Sequence, residues 1–225
     1  MNNCAILVFA KNAISESDSK RIVSAASDNV ALWTILNKKT VQIAQKSKIP
    51  FFVVNEGEQV GTTFGARISN ALQSVFDLGF EKIIAIGNDC PELTAAHLKL
   101  AQSELQTNDF VFGPDFKGGA YLLGISKKHF DPTDFKNFNW QSSQLFQTIT
   151  SYYQHNRLAV LPFLNDVNDA FSFKKAINNL SFKSKLKIDL LLFLILSKAV
   201  FHFTISKIKL NTVLYLNYRG PPIGV

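Results

Sequence analysis

The stretch Lys82-Ile-Ile-Ala-Ile-Gly-Asn-Asp-Cys-Pro91 is a short apolar run that closes on glycine, two polar residues and a proline. Proline has no amide to donate, so a sheet ladder stops there. A run of this length with no polar alternation reads as a strand covered on both faces, the kind that lies in parallel sheets under helices.

The rest of the chain repeats the pattern. Apolar runs at Ala5 to Phe9, Phe51 to Val54, Phe110 to Phe112, Ala120 to Gly124 and Leu158 to Leu161 are expected strands. Helical spacing is expected near Ala31 to Lys46, Phe64 to Leu78, Ala95 to Gln106, Ser143 to Tyr153 and Asp169 to Asn179. Strands alternating with helices predict an α/β fold with a mostly parallel sheet. In such sheets ligands sit beyond the carboxyl ends of the strands, so chemistry is sought in the residues just after them.

Composition agrees with a cored domain. The 225 residues are 47% hydrophobic, 12% aromatic and 18% charged, enough for one α/β domain with an appendage and too few for two large lobes. Two cysteines, Cys4 and Cys90, build neither a four-thiolate zinc site nor a disulfide framework, and a reducing cytoplasm fits them. The net charge is +7, but residues 181 to 225 hold seven basic side chains and one acid, so the first 180 residues balance to about +1. Nucleic acid is therefore not the expected partner. The division expected is an α/β domain over 1–180 and a basic, apolar extension over 181–225.

The N-terminal run Cys4-Ala-Ile-Leu-Val-Phe-Ala10 reads as a buried strand rather than a signal peptide. In the extension, Ile188 to Leu196 is broken by Asp189 and followed by Lys198, Ala199 to Phe203 with His202, and Ile205. A span needs about 20 uninterrupted apolar residues, so a transmembrane helix is rejected. Two readings remain for the extension. It lies peripherally on an anionic inner-membrane surface, or it is a final helix and strand packed on protein with its lysines solvated; the second is preferred.

Asp89 stands at the carboxyl end of the third strand. A carboxylate fixed there, with Gly87 letting a ligand approach the backbone, suits Mg²⁺ held against a diphosphate, because hard cations take oxygen ligands and share them with phosphates. The alternative is a turn-shaping Asp89 with Thr94 capping the next helix. After the fourth strand comes Phe112-Gly-Pro-Asp-Phe-Lys-Gly-Gly-Ala-Tyr-Leu-Leu-Gly124. Gly118 and Gly119 either admit a sugar or phosphate or form the tip of a hairpin. After the last strand, Asp166 is a candidate for the metal or the acceptor, and Asp169 for a helix cap. Arg67, on the helix opened by Gly61-Thr-Thr-Phe-Gly-Ala-Arg67, meets an anion or a surface acid. The four histidines, His97, His129, His155 and His202, lack zinc-ligand spacing.

Taken in order, Gly61 to Leu72, Ile86-Gly-Asn-Asp-Cys-Pro-Glu-Leu-Thr94, Phe112-Gly-Pro to Gly124, Asn139-Trp140 and Asn165-Asp-Val-Asn168 resemble one bacterial family over about residues 4 to 178. It is the glycosyltransferase-like family known as radical-SAM/selenodomain-associated transferase 1. The resemblance implies a three-layer α-β-α, Rossmann-like fold of the nucleotide-diphospho-sugar transferase type. It also implies Mg²⁺ or Mn²⁺ at Asp89, and Gly118, Gly119 and Tyr121 facing the sugar or acceptor. Asp166 matches the first acid of a late Asp-Val-Asp-Thr pattern.

Two departures stand out. Where the family carries Pro-Gly-x-x-Lys-Thr-Arg-Leu, this chain reads Lys11-Asn-Ala-Ile-Ser-Glu-Ser-Asp-Ser-Lys-Arg-Ile22. Lys11, Lys20 and Arg21 are then the remaining phosphate partners, with Glu16 and Asp18 adding negative charge. At the Asp-Gly-Gly position Lys117 replaces the acid, leaving Asp115 two residues earlier as its substitute. The expectation is a metal-dependent transferase that uses a nucleotide-activated sugar or moves a nucleotidyl group, with Asp115 and Asp166 activating the acceptor. The competing expectation is an impaired member acting as a binding or scaffold module.

Overall fold

The computed structural model describes residues 3–196. Six strands form one sheet: β1 (Cys4–Phe9), β2 (Phe51–Val54), β3 (Lys82–Ile86), β4 (Phe110–Pro114), β5 (Ala120–Ser126) and β6 (Leu158–Val160), in the order β2-β1-β3-β5-β4-β6. All pairings are parallel except those of β5, which runs against both β3 and β4. The glycine-rich stretch between β4 and β5 is therefore a hairpin, and it reverses the chain in the middle of an otherwise parallel sheet.

The period of two assigns the core. Ala5, Leu7 and Phe9 of β1 join Ile83 and Ala85 of β3 and Phe110 and Phe112 of β4 on one face. Cys4, Ile6 and Val8 join Ile84, Ile86 and Val111 on the other. On the first face lie α3 (Phe64–Asp77), α5 (Pro132–Lys136) and α6 (Leu145–Tyr152); on the second lie α2 (Ala26–Ser47) and α4 (Ala95–Glu104). This is the expected α/β, three-layer, nucleotide-diphospho-sugar transferase-like architecture.

α7 (Ala170–Asn179) begins on Asp169, whose carboxylate accepts from the Ser172 amide in a capping box, and Thr94 caps α4. Two helices were not expected. α1 (Ala13–Ser19) is too short and polar to show apolar periodicity; Asn12 starts it by accepting from the Ile14 and Ser15 amides. α5 starts on Asp131 with Pro132 in its first turn. α2 also begins five residues before the apolar spacing announces it.

The chain divides into units over Met1–Ser181 and Phe182–Val225. In the second, residues 185–196 form a helix. The run Ala199 to Phe203 and the rest of the extension lie outside the described residues. No helix among the described residues is long and apolar enough to cross a membrane.

Candidate functional site

One cleft of about 730 Å³ opens at the carboxyl ends of β1 and β3 and beside the β4–β5 hairpin. It gathers Lys11, Lys20, Arg67, Gly87, Asp89, Asp115, Lys117, Gly119, Tyr121 and Asp166 along its walls. Arg21 is exposed and Gly118 stands behind the wall; neither lines the cleft.

Asp89 reaches the cleft because β3 ends at Ile86 and Gly87 leaves room for its side chain to fold back. A Cβ at Gly87 would stand 2.9 Å from Asp89 Oδ1. Asp89 Oδ2 accepts from Lys20 Nζ at 2.6 Å, with both side chains about a quarter exposed. Burial alone would lower the Lys20 ammonium, but Asp89 and then Glu16 hold it above its ordinary value.

Asp166 is buried, and its Oδ1 has no hydrogen-bond partner. Burial pushes this carboxyl well above its usual range, and the charges of Asp89 and Asp115 push it further the same way. A buried carboxylate oxygen with no partner is costly, and its ordinary resolutions are protonation, a cation or an unseen donor. Asp115 is buried too, but its Oδ1 accepts from the amides of Lys117 and Gly119, both at 2.7 Å. It shapes the hairpin tip, and its other oxygen lies beside Gly119, where an added Cβ would stand 2.8 Å from it.

Lys117 leans outward, its Nζ 3.4 Å from Asp169 Oδ2 with both side chains about half exposed. It borders the cleft without plugging it. Tyr121 lines the wall but is otherwise buried, and its hydroxyl donates to the Pro162 carbonyl at 2.8 Å. Gly118 takes φ +87°, and a Cβ there would meet the Ser143 carbonyl oxygen at 2.0 Å. Its role is to let the hairpin pass close to the 141–143 loop that forms the next wall. Arg67 extends from α3 with no side-chain hydrogen bond or ion pair among the described residues, and Lys11 Nζ donates to Ser19 Oγ at 2.7 Å.

Several residues of the site were not foreseen. Glu16 sits buried in the cleft wall rather than merely near an anion position. Burial raises its carboxyl, Lys20 pulls it down, and Asp89 pushes it up. Asn88 is buried beside Asp89 and donates to Asn37 Oδ1 at 2.6 Å. Lys39 of α2 donates to the Cys90 carbonyl at 2.8 Å, holding the peptide after Asp89; burial pushes its ammonium down to about 8 against the pull of Cys90, Glu92 and Asp166. Asn29 is buried and ties down the segment that replaces the expected phosphate loop. Its Oδ1 accepts from the Ile22 and Val23 amides, and its Nδ2 donates to the carbonyls of Ser17 and Lys20. The signal for these residues was weak, because polar residues inside an amphipathic helix read as solvent-facing.

The donor set fits a divalent cation of the magnesium class in a limited sense. Among the described residues no three His, Cys, Asp or Glu side chains stand together as a metal cage. Asp89 and the unpartnered Asp166 oxygen offer hard carboxylate donors at one place, which suits an ion that takes one or two carboxylates and completes its shell with water and phosphate.

The fold is α/β and nucleotide-diphospho-sugar transferase-like. The chain belongs to a family of uncharacterized proteins conserved in bacteria, DUF2064, whose model matches residues 22–142. No curated protein matches the chain. Among solved structures it is similar to a Desulfovibrio desulfuricans G20 protein described as a nucleotide-diphospho-sugar transferase, at 22% identity and TM-score 0.76, covering 88% of this chain and 96% of that one. Lesser likenesses are Rv0371C of Mycobacterium tuberculosis H37Rv, solved with manganese (12% identity, TM-score 0.45, 79% and 99% covered), and a cytidylyltransferase of Leptospira borgpetersenii (12%, 0.42, 99% and 100%). The first likeness shows the fold, and the family match agrees with the bacterial glycosyltransferase-like resemblance read from the motifs.

Proposed function

We propose that the cleft binds the diphosphate of a nucleotide-activated sugar, or of a nucleoside triphosphate, and that the protein is a transferase of the glycosyl or nucleotidyl class. The observation that carries this reading is that Asp89, at the end of β3, and Asp166, which keeps a buried oxygen without a partner, line one cleft with Lys20, Lys11 and Arg67. Opposed acids and cations around one space suit a phosphate-bridged cation better than an apolar or purely anionic ligand.

Asp89, with Asp166 beside it, would hold magnesium or manganese, which when bound supplies charge neutralisation for a leaving diphosphate. Lys20, Lys11 and Arg67 receive phosphate oxygens. Asp115 orients the hairpin by gripping the Lys117 and Gly119 amides and presents its second oxygen to the acceptor. Asp166, where it does not take the metal, is with Asp115 the other candidate to receive the acceptor's proton. The ring of Tyr121 and the 141–143 loop close the wall toward the acceptor. Residues 1–180 would form the transferase domain and 181–225 an extension of separate role. The two buried thiols suit a reducing cytoplasm.

A panel of nucleotide sugars and nucleoside triphosphates with Mg²⁺ or Mn²⁺ in a thermal-shift assay tests the reading. A ligand at 100 times its dissociation constant stabilises by about 2.7 kcal/mol. A shift with one nucleotide class that needs the metal supports the transferase. The Lys20–Asp89 pair, which already neutralises the metal position, favours the alternative of a binding or scaffold module, and the absence of any shift across the panel would establish it over the enzyme.

A further inference from the structure

Lys20 is fixed at its base and able to swing at its tip. Its carbonyl accepts from Asn29 Nδ2 at 2.9 Å and Trp33 Nε1 at 3.2 Å, both from buried side chains of α2, and its amide donates to the Glu16 carbonyl at 2.8 Å. From that anchor the stem passes the Trp33 ring, with Nζ 5.6 Å from the ring centroid, and delivers the ammonium to Asp89 Oδ2. A compact cation on a four-carbon stem can change partners by rotamer alone, while its backbone stays in place. The new partner is near at hand, because the ion pair lies in the wall of the cleft itself.

The pair also sets a conflict. An ammonium 2.6 Å from a carboxylate oxygen and a divalent cation at the same carboxylate repel each other at a range where the interior screens poorly. Resting on the diphosphate reading above, we infer that Lys20 is a resident counter-ion that blocks Asp89 from taking a divalent cation alone, and that an incoming pyrophosphate group draws Lys20 off Asp89 and so admits the metal. Cation and diphosphate then bind cooperatively, each raising the affinity of the other by the same factor. Glu16, buried on the same turn four residues before Lys20, helps hold the ammonium in the closed position. The α1 segment, which stands where the resembled family carries its Pro-Gly-x-x-Lys-Thr-Arg-Leu loop, is, on this account, a latch.

The test uses the full chain and two probes, Mn²⁺ followed by electron paramagnetic resonance and inorganic pyrophosphate followed by calorimetry with chelator present. Lys20→Met should bind Mn²⁺ alone about tenfold more tightly than wild type, within the usual range of coupling between sites. Lys20→Arg, which keeps the charge, should stay as weak as wild type, and the gain should vanish in Lys20→Met/Asp89→Asn. Lys20→Gln serves in the same way should the methionine variant not fold. Metal-free pyrophosphate should lose affinity in Lys20→Met. Mn²⁺ affinity unchanged to within about twofold in Lys20→Met or Lys20→Gln, or a gain that survives Asp89→Asn, overturns the latch. Pyrophosphate that binds none of the proteins refutes the diphosphate reading, while the manganese comparison still decides whether Lys20 guards Asp89.

Discussion

The amide of Val167 donates to the carbonyl of Asp89 at 2.7 Å, so the end of β3 and the loop after β6 are one unit. That bond sets Asp166, the residue before Val167, against Asp89 across the sheet from a distant part of the chain. It explains why the Asp166 carboxyl, 77 positions along the chain from Asp89, is raised by Asp89 as well as by burial.

Asn29 is the keystone of the latch segment. Replacing it with alanine leaves the Ile22 and Val23 amides and the Ser17 carbonyl without their side-chain partner, and the Lys20 carbonyl with Trp33 Nε1 alone. Unsatisfied buried groups of this kind predict a loss of about 2 kcal/mol. Hydrogen exchange should show the loss of protection confined first to Ile22 and Val23, with the sheet amides unaffected.

Gly118→Ala should destabilise by about 1–3 kcal/mol, because the new Cβ would collide with backbone, which cannot move aside as a side-chain tip can. For a domain of this size that is a fall of roughly 2–4 °C in Tm per kcal/mol. Thermal unfolding followed by circular dichroism checks it.

Asp169→Ala removes the cap of α7 and should cost about 1 kcal/mol at neutral pH. The Ser172 amide and hydroxyl, assisted by Lys117, hold this carboxyl below its ordinary value of 3.8. A depressed carboxyl contributes stability above its unfolded pKa and loses it as pH falls through the folded one. The gap between wild type and variant should therefore be full at neutral pH and shrink in acid, as measured by denaturant unfolding across pH.

Lys117→Ala breaks only an exposed pair with Asp169, so stability should change by no more than about 0.5 kcal/mol. Its side chain borders the cleft nonetheless. Affinity for an anionic ligand should fall and become less salt-dependent, which titrations at two ionic strengths will show.

The strands and their order of use were legible because β1 and β3 are buried on both faces, and burial on both faces leaves no polar residue to confuse the pattern. Asp89, Asp115 and Asp166 could be singled out because each lies within six residues of the carboxyl end of a strand. The sequence could not show that Lys20 bridges to Asp89. Nothing local in Ser-Asp-Ser-Lys-Arg distinguishes a cation turned inward from one in water, and the turn inward depends on Asn29 and Trp33 on another helix. α1 escaped notice because its helix is made by the Asn12 cap and not by an apolar stripe. The residues could not show that the Tyr121 hydroxyl is taken by the Pro162 carbonyl.

The central claim is that Asp89 carries a cation that in turn carries a diphosphate. Calorimetric titration of wild type and Asp89→Ala with the stabilising nucleotide ligand, with and without Mn²⁺, addresses it directly. The account predicts that Mn²⁺ strengthens ligand binding to wild type but not to the variant, with similar melting of the two free proteins. Equal affinity in both proteins, or wild-type binding that ignores the metal, would contradict it.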